Sequence, residues 1–202
     1  AVHTRLDKKR DITELWVLAR DRLGLFADLA LIISATGAQI MGARLHTGTN
    51  GRVMNVFYLQ NADGLAFGRM NAHILDVLRT RALDVISGKT PDVTLNVPNL
   101  SRRAAAIPVS PAASILDYAS GAASIIEIEG RDRIGLLYHL ADYLRGEDLD
   151  VLSAHIEVVG TRAIDAFYVV PLDRKPLSKA RGAKIKADLI ALMESDAVSG
   201  DL

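Results

Sequence analysis

The sequence contains no cysteine, which excludes disulfide scaffolds, Cys-based zinc sites and thiol nucleophiles and agrees with a reducing, cytoplasmic compartment. It also lacks an excess of either charge. The 24 Lys and Arg balance 24 Asp and Glu, so no overall field draws the chain to nucleic acid or to an anionic membrane. No apolar run approaches the roughly 18 residues needed to cross a bilayer. The opening segment AVHTRLDKKRDITELW has no initiator Met and no apolar stretch of signal-peptide length, and reads as the start of a piece cut from a longer protein. What remains is ordinary globular composition, 50% apolar over 202 residues, enough for two small domains or one larger one.

One phrase is spelled twice. In ARDRLGLFADLALIISATGAQI (Ala19 to Ile40) and GRDRIGLLYHLADYLRGEDLDV (Gly130 to Val151), Asp21 aligns with Asp132, Arg22 with Arg133, Gly24 with Gly135, Leu29 with Leu140 and Ala43 with Ala154. Beyond the turn at Asn50 and Gly51 the offset shortens by one residue, setting MNVFYLQ (Met54 to Gln60) over IDAFYVV (Ile164 to Val170). Loss of a residue within a turn is what a structural repeat tolerates.

Each copy has the same grammar. TELWVL (Thr13 to Leu18) and SIIEIE (Ser124 to Glu129) read as strands. Asp-Arg-x-Gly follows, then apolar residues at helical spacing: Leu25, Phe26, Leu29, Ala30, Ile32 and Ile33 in one copy, Leu136, Leu137, Leu140, Ala141 and Leu144 in the other. Asp21 and Asp132 are expected as N-caps. Two strands follow, Gln39 to Thr47 and Arg52 to Gln60, then Leu149 to Val159 and Arg162 to Val170, joined at TNGR and GTR. Second helices are predicted over roughly Arg69 to Ile86 and Ser178 to Met193. A closing strand would complete an α+β, ferredoxin-like βαββαβ unit with an antiparallel sheet and helices on one face.

The reading divides the chain into an N-terminal extension (1–12), a first unit (13–88), a linker (89–112), a closing strand of the first unit (113–120) and a second unit (123–202). SILDY (Ser114 to Tyr118) is the preferred closing strand, DVTLNV (Asp92 to Val97) its rival, and only the tail Asp196 to Leu202 remains to close the second copy. A weak final strand would leave a free sheet edge for a homodimer.

Catalytic signals are scarce. The five histidines (3, 46, 73, 139 and 155) are scattered without metal-ligand spacing, so no metal site is expected. DLD (Asp148 to Asp150) resembles the paired aspartates of nucleotidyltransferases but lacks the preceding Gly-Ser turn and a third carboxylate. The basic runs, Lys8 to Arg10, Arg102 and Arg103, and Asp173 to Lys186, come without the stacking motif of an RNA-binding sheet, so neither a nucleic-acid nor a membrane partner is expected. Asp-Arg-x-Gly reads structurally as a turn and cap. Functionally, it offers free N–H groups at a helix N-terminus to a small anion such as a carboxylate.

Strand, D-R-x-G-L-[LF], amphipathic helix and then GAQIMGARLHT or LDVLSAHIEVVG resembles the ACT domain, a ferredoxin-like regulatory module that typically binds amino acids. RRAAAIPVSPAASILDYAS and SAHI followed by AIDAFYV narrow this to the tandem C-terminal ACT domains of the bacterial bifunctional uridylyltransferase/uridylyl-removing enzymes of nitrogen regulation. The resemblance implies a glutamine-sensing region acting on the PII protein through the full-length enzyme. It also implies no cofactor in this part and Mg²⁺ only in catalytic domains outside it. Ligand contacts are implied for Asp21, Arg22, Leu23 and Gly24, for Asp132, Arg133, Ile134 and Gly135, and for Asn55 and Asp165, which align on the third strand of each copy. Where the family has proline, this chain has Leu23 and Ile134, so both loops are expected to be looser. The competing readings are a stand-alone tandem ACT regulator resembling the glycine cleavage repressor and, in a third class, an RNA-binding pair.

Overall fold

The computed structural model describes residues 1–95, 108–117 and 123–195. The chain forms strands β1 (Val2–Asp7) and β2 (Ile12–Arg20), helix α1 (Leu25–Ala35), strands β3 (Gln39–Thr47) and β4 (Arg52–Gln60) and helix α2 (His73–Ile86). It then repeats the order with β5 (Ala112–Asp117), β6 (Ser124–Arg131), α3 (Leu136–Gly146), β7 (Leu149–Val159), β8 (Arg162–Pro171) and α4 (Lys179–Ser195). All eight strands join one antiparallel sheet in the order β1-β2-β4-β3-β7-β8-β6-β5. The fold is therefore α+β, two ferredoxin-like modules fused through β3 and β7.

The period-two alternation of the strands becomes two distinct sheet faces. One cross-strand row runs Val17, Asn55, Leu45, Ala154, Phe167 and Ile126, all buried beneath the helices. The neighbouring row, Leu18, Met54, His46, Ser153, Tyr168, Ile125 and Leu116, lies on the open face, where Leu18, Met54 and Leu116 are exposed. The core is continuous across the module boundary. The Phe26 ring of α1 stacks on Phe57 of its own module at 5.5 Å and meets Phe167 of the other edge-on at 6.4 Å.

Three expectations change. The strand at Ala112–Asp117 does not close the first module; it pairs with β6 of the second. The corresponding place beside β2 is taken by β1, from the segment assigned to an N-terminal extension. Each module thus receives its outer strand from the residues before the repeat, in the order ββαββα, and the sheet edges are β1 and β5. A hairpin reaches the edge of the sheet as well as a crossover from α2 or α4 would, and closing β1 onto β2 needs only a short turn. Asp92 to Leu95 form no strand, while Asn96, Val97, Tyr118 and the tail Asp196 to Leu202 lie outside the described residues.

The helix starts differ too. α1 and α3 begin after Gly24 and Gly135, without a side-chain cap, so Asp21 and Asp132 are not N-caps. Instead, Leu25 N–H donates to Arg22 C=O at 3.1 Å and Leu136 N–H to Arg133 C=O at 3.1 Å, each closing a β-turn. Gly24 (φ 78, ψ 0) and Gly135 (φ 82, ψ −6) sit in the left-handed region of position i+2 in a type II turn. Leu23 and Ile134 occupy position i+1, where proline is favoured. That accounts for proline's place in the motif without invoking a first helical residue.

Phe26, 4% exposed, bridges the modules. Phe26→Ala is expected to cost about 3–5 kcal/mol, read as a lower urea midpoint. A loss below about 1 kcal/mol would show that the modules do not share this core.

Candidate ligand site at the module interface

Because β3 pairs with β7, α1 and α3 lie side by side, and the first Asp-Arg-x-Gly loop faces the second module. The cleft between them is lined by Asp21, Arg22, Gly24, Phe26 and Ala27 from the loop and first helical turn, Asn55 from β4, Arg145 from the end of α3 and Asp150 from β7. The first turn of any α-helix leaves N–H groups without intrahelical partners, and Phe26 and Ala27 belong to that turn. Asn55 forms the floor. It is fully buried, and neither its Oδ1 nor its Nδ2 has a partner among the described residues.

The loop is held in place by polar contacts at both ends. Asp21 N–H donates to Gly51 C=O at 3.0 Å, and its carboxylate accepts from the Thr47 hydroxyl at 2.9 Å. Arg22 reaches over α1 to Asp28, donating through Nη2 at 2.6 Å, and to the Val85 carbonyl at 3.3 Å. Asp28 is 7% exposed and accepts a second guanidinium, Arg145 Nη1, at 3.2 Å. Arg145 also pairs with Asp142 on its own helix. Its aliphatic stem lies over Gly24, where a Cβ would collide with Arg145 Cδ. The cavity left is about 20 Å³. That is room for a water molecule, well short of an open ligand pocket.

The second loop is built alike and furnished differently. Asp132 N–H donates to Thr161 C=O at 2.9 Å, matching Asp21, but the space over Gly135 is filled by the Leu95 side chain. Asp165, aligned with Asn55, is 2% exposed between Ile128 and Ile156, and its Oδ1 has no partner among the described residues. Burial pushes its carboxyl up to about 8, with the Asp132 charge adding to the rise and a main-chain hydrogen bond from Glu157 opposing it. Asp132 is itself raised to about 6 by burial.

Of the expected site residues, Asp21, Arg22, Gly24 and Asn55 converge on one cleft. The Leu23 side chain is not part of its lining, although the Leu23 carbonyl accepts from Arg22 at 3.4 Å. Asp132 and Asp165 interact electrostatically, while Arg133 turns toward the Leu192 carbonyl at 3.5 Å. Ile134 and Gly135 complete a loop covered by Leu95. Sequence reasoning missed Asp28, Arg145, Asp150 and Leu95. Aligning the copies column by column would have exposed the first two, since Asp28 falls on His139 and Arg145 on Ser34, differences of charge between aligned helices.

Fold and cleft define a pair of ferredoxin-like modules that share one sheet and one interface cleft. Sequence comparison relates the chain to a segment of the bifunctional uridylyltransferase/uridylyl-removing enzymes. It is 39% identical over 187 residues to that of Caulobacter vibrioides (92% of this chain, 20% of the relative) and 38% identical over 199 to that of Phenylobacterium zucineum (98% and 21%). It is 40% identical over 172 residues to the Azospirillum brasilense enzyme (83% and 18%). The chain thus spans about a fifth of the length of the curated relatives it matches. No family profile matches it. Among solved structures, aspartate kinase from Synechocystis superposes with a TM-score of 0.47 at 16% identity, over 91% of this chain and 27% of that one.

The raised carboxyl of Asp165 gives a pH test. A carboxyl with a higher pKa folded than unfolded binds its proton more tightly in the native state, so stability falls as pH rises from about 4 toward about 8. The melting temperature is expected to drop by several degrees across this window, and Asp165→Asn, which copies the first module's residue, should remove most of the drop. A flat wild-type profile would contradict the buried placement of Asp165.

Proposed function

We propose that this chain is the amino-acid-sensing, regulatory part of a uridylyltransferase/uridylyl-removing enzyme, with L-glutamine as its effector. Asn55 carries the reading. A buried donor and acceptor side by side, without partners among the described residues, are the complement of another primary amide, and such a group costs about 1–3 kcal/mol until satisfied. The N–H groups at the start of α1 suit the α-carboxylate of the same ligand. Glutamine brings both groups, whereas glutamate brings a second negative charge to a floor that offers none in return.

On this reading the effector signals nitrogen status to an enzyme that attaches UMP to the PII protein when glutamine is scarce and removes it when glutamine is plentiful. The catalysis, with its Mg²⁺, belongs to parts of the relatives' length beyond this fifth, and the setting is the cytoplasm. Ligand binding alters distant activity only by favouring one arrangement of the two modules over another.

Calorimetric titration with L-glutamine, using glutamate, glycine and serine as controls, is expected to show saturable, glutamine-selective binding. Gly24→Val places a side chain at φ +78 against Arg145 and should abolish binding while a cooperative melting transition persists. No heat up to millimolar glutamine, or loss of the fold in Gly24→Val, would sink the sensor reading of this loop.

A further inference from the structure

The two copies of the loop are not two copies of a site. In the first, Gly24 faces Arg145, a guanidinium delivered by the other module. Arg145 is held there by Asp28, a buried carboxylate 3.2 Å away that keeps a second cation, Arg22, at 2.6 Å. The Arg145 side chain is 40% exposed, so it can leave Asp28 without unpacking the core. At the second loop the corresponding residues are His139 of its own helix and Ser34 of the first module's α1, which provide neither the carboxylate nor the guanidinium. The ground over Gly135 is already occupied by Leu95 of the same chain.

We propose that the chain binds one amino-acid ligand, at the first loop only, with Arg145 as the anchor for its α-carboxylate. The ligand carboxylate takes the place of Asp28 in front of Arg145 and completes its coordination with the N–H groups at the start of α1. Asp28 stays paired with Arg22, so no buried charge is stranded by the exchange. A planar guanidinium suits this task because it can bind a carboxylate through two parallel N–H groups. The 20 Å³ cavity is then the closed form of the site, opened as the Arg145 side chain moves off Gly24. The second loop, with Leu95 seated on it, is architecture. The exchange also removes an ion pair between α1 and α3, the helices on either side of the module boundary, which couples occupancy to module packing.

This rests on the amino-acid reading above, and the test separates the two. Titration of the wild-type chain with L-glutamine is expected to give one ligand per chain. Arg145→Met should weaken binding roughly tenfold or more, with Arg145→Lys recovering part of the loss. The deciding comparison is with L-glutamine α-amide, whose carboxylate is neutralised. Wild type should prefer L-glutamine, and Arg145→Met should lose that preference, which a merely structural role for Arg145 would leave intact. Two ligands per chain, or an unchanged preference in both variants, overturns this assignment and leaves glutamine sensing standing. No saturable binding by wild type removes both.

Discussion

Everything in this molecule depends on the five residue pairs that join Gly42–His46 of β3 to Ser153–Glu157 of β7. Each module alone would present β3 or β7 as an unpaired inner edge. Pairing them makes one sheet and sets α1 beside α3 in antiparallel order, so the loop before α1 meets the end of α3. Ser153 adds a side-chain hydrogen bond to the Leu45 carbonyl at 3.0 Å across the seam. Phe26 then closes the core over it, one ring serving both halves. The cleft is a consequence of this seam: neither module contains all of its walls.

Repetition supplied the scaffold and divergence supplied the chemistry. Main-chain features agree between the copies down to the turn: the same hydrogen bond across it, the same left-handed glycine, the same uncapped helix start. Side chains that point into the interface do not agree. Asp28 stands against His139, Arg145 against Ser34 and Asn55 against Asp165. Burial keeps His139 below its ordinary value and Asp165 above its own, so both favour a neutral form, while the Asp28 cluster is built from paired charges. The first loop is closed by an ion pair; the second is lined by polar groups that burial pushes toward neutrality and is covered by a leucine.

The repeat, the α+β class and the strand and helix types were legible in the sequence, each from local periodicity or from comparing one copy with the other. Asp21, Arg22, Gly24 and Asn55 were grouped only through the family resemblance, and the cleft is where the fold brings their side chains together. What escaped was non-local. Which module Ala112–Asp117 joins depends on a choice between two sheet edges that its own six residues do not encode. The helix starts were misplaced because Asp at the head of such a phrase suggests a cap, whereas the glycine three residues later takes the turn and leaves Asp21 to Thr47. Arg145 is far from the first loop in sequence, and only the β3–β7 seam brings it there.

Under the proposed exchange at Arg145, the closed cleft would combine selectivity with a weakly preformed site. Asn55 is buried without a partner among the described residues, a standing cost, and the Arg145–Asp28 pair lies across the mouth of the cleft. A ligand that satisfies the amide but cannot replace Asp28 gains one contact and breaks another. A ligand with a carboxylate but no amide opens the cleft and leaves the floor unsatisfied. Only a molecule with both groups, at a separation that spans from Asn55 to the start of α1, gains at each end. If opening the pair loosens α1 from α3, as the proposal requires, the free energy that discriminates between ligands is the same free energy that shifts the modules. On that proposal selectivity and signal are one quantity, set by a single exchange of partners at Arg145.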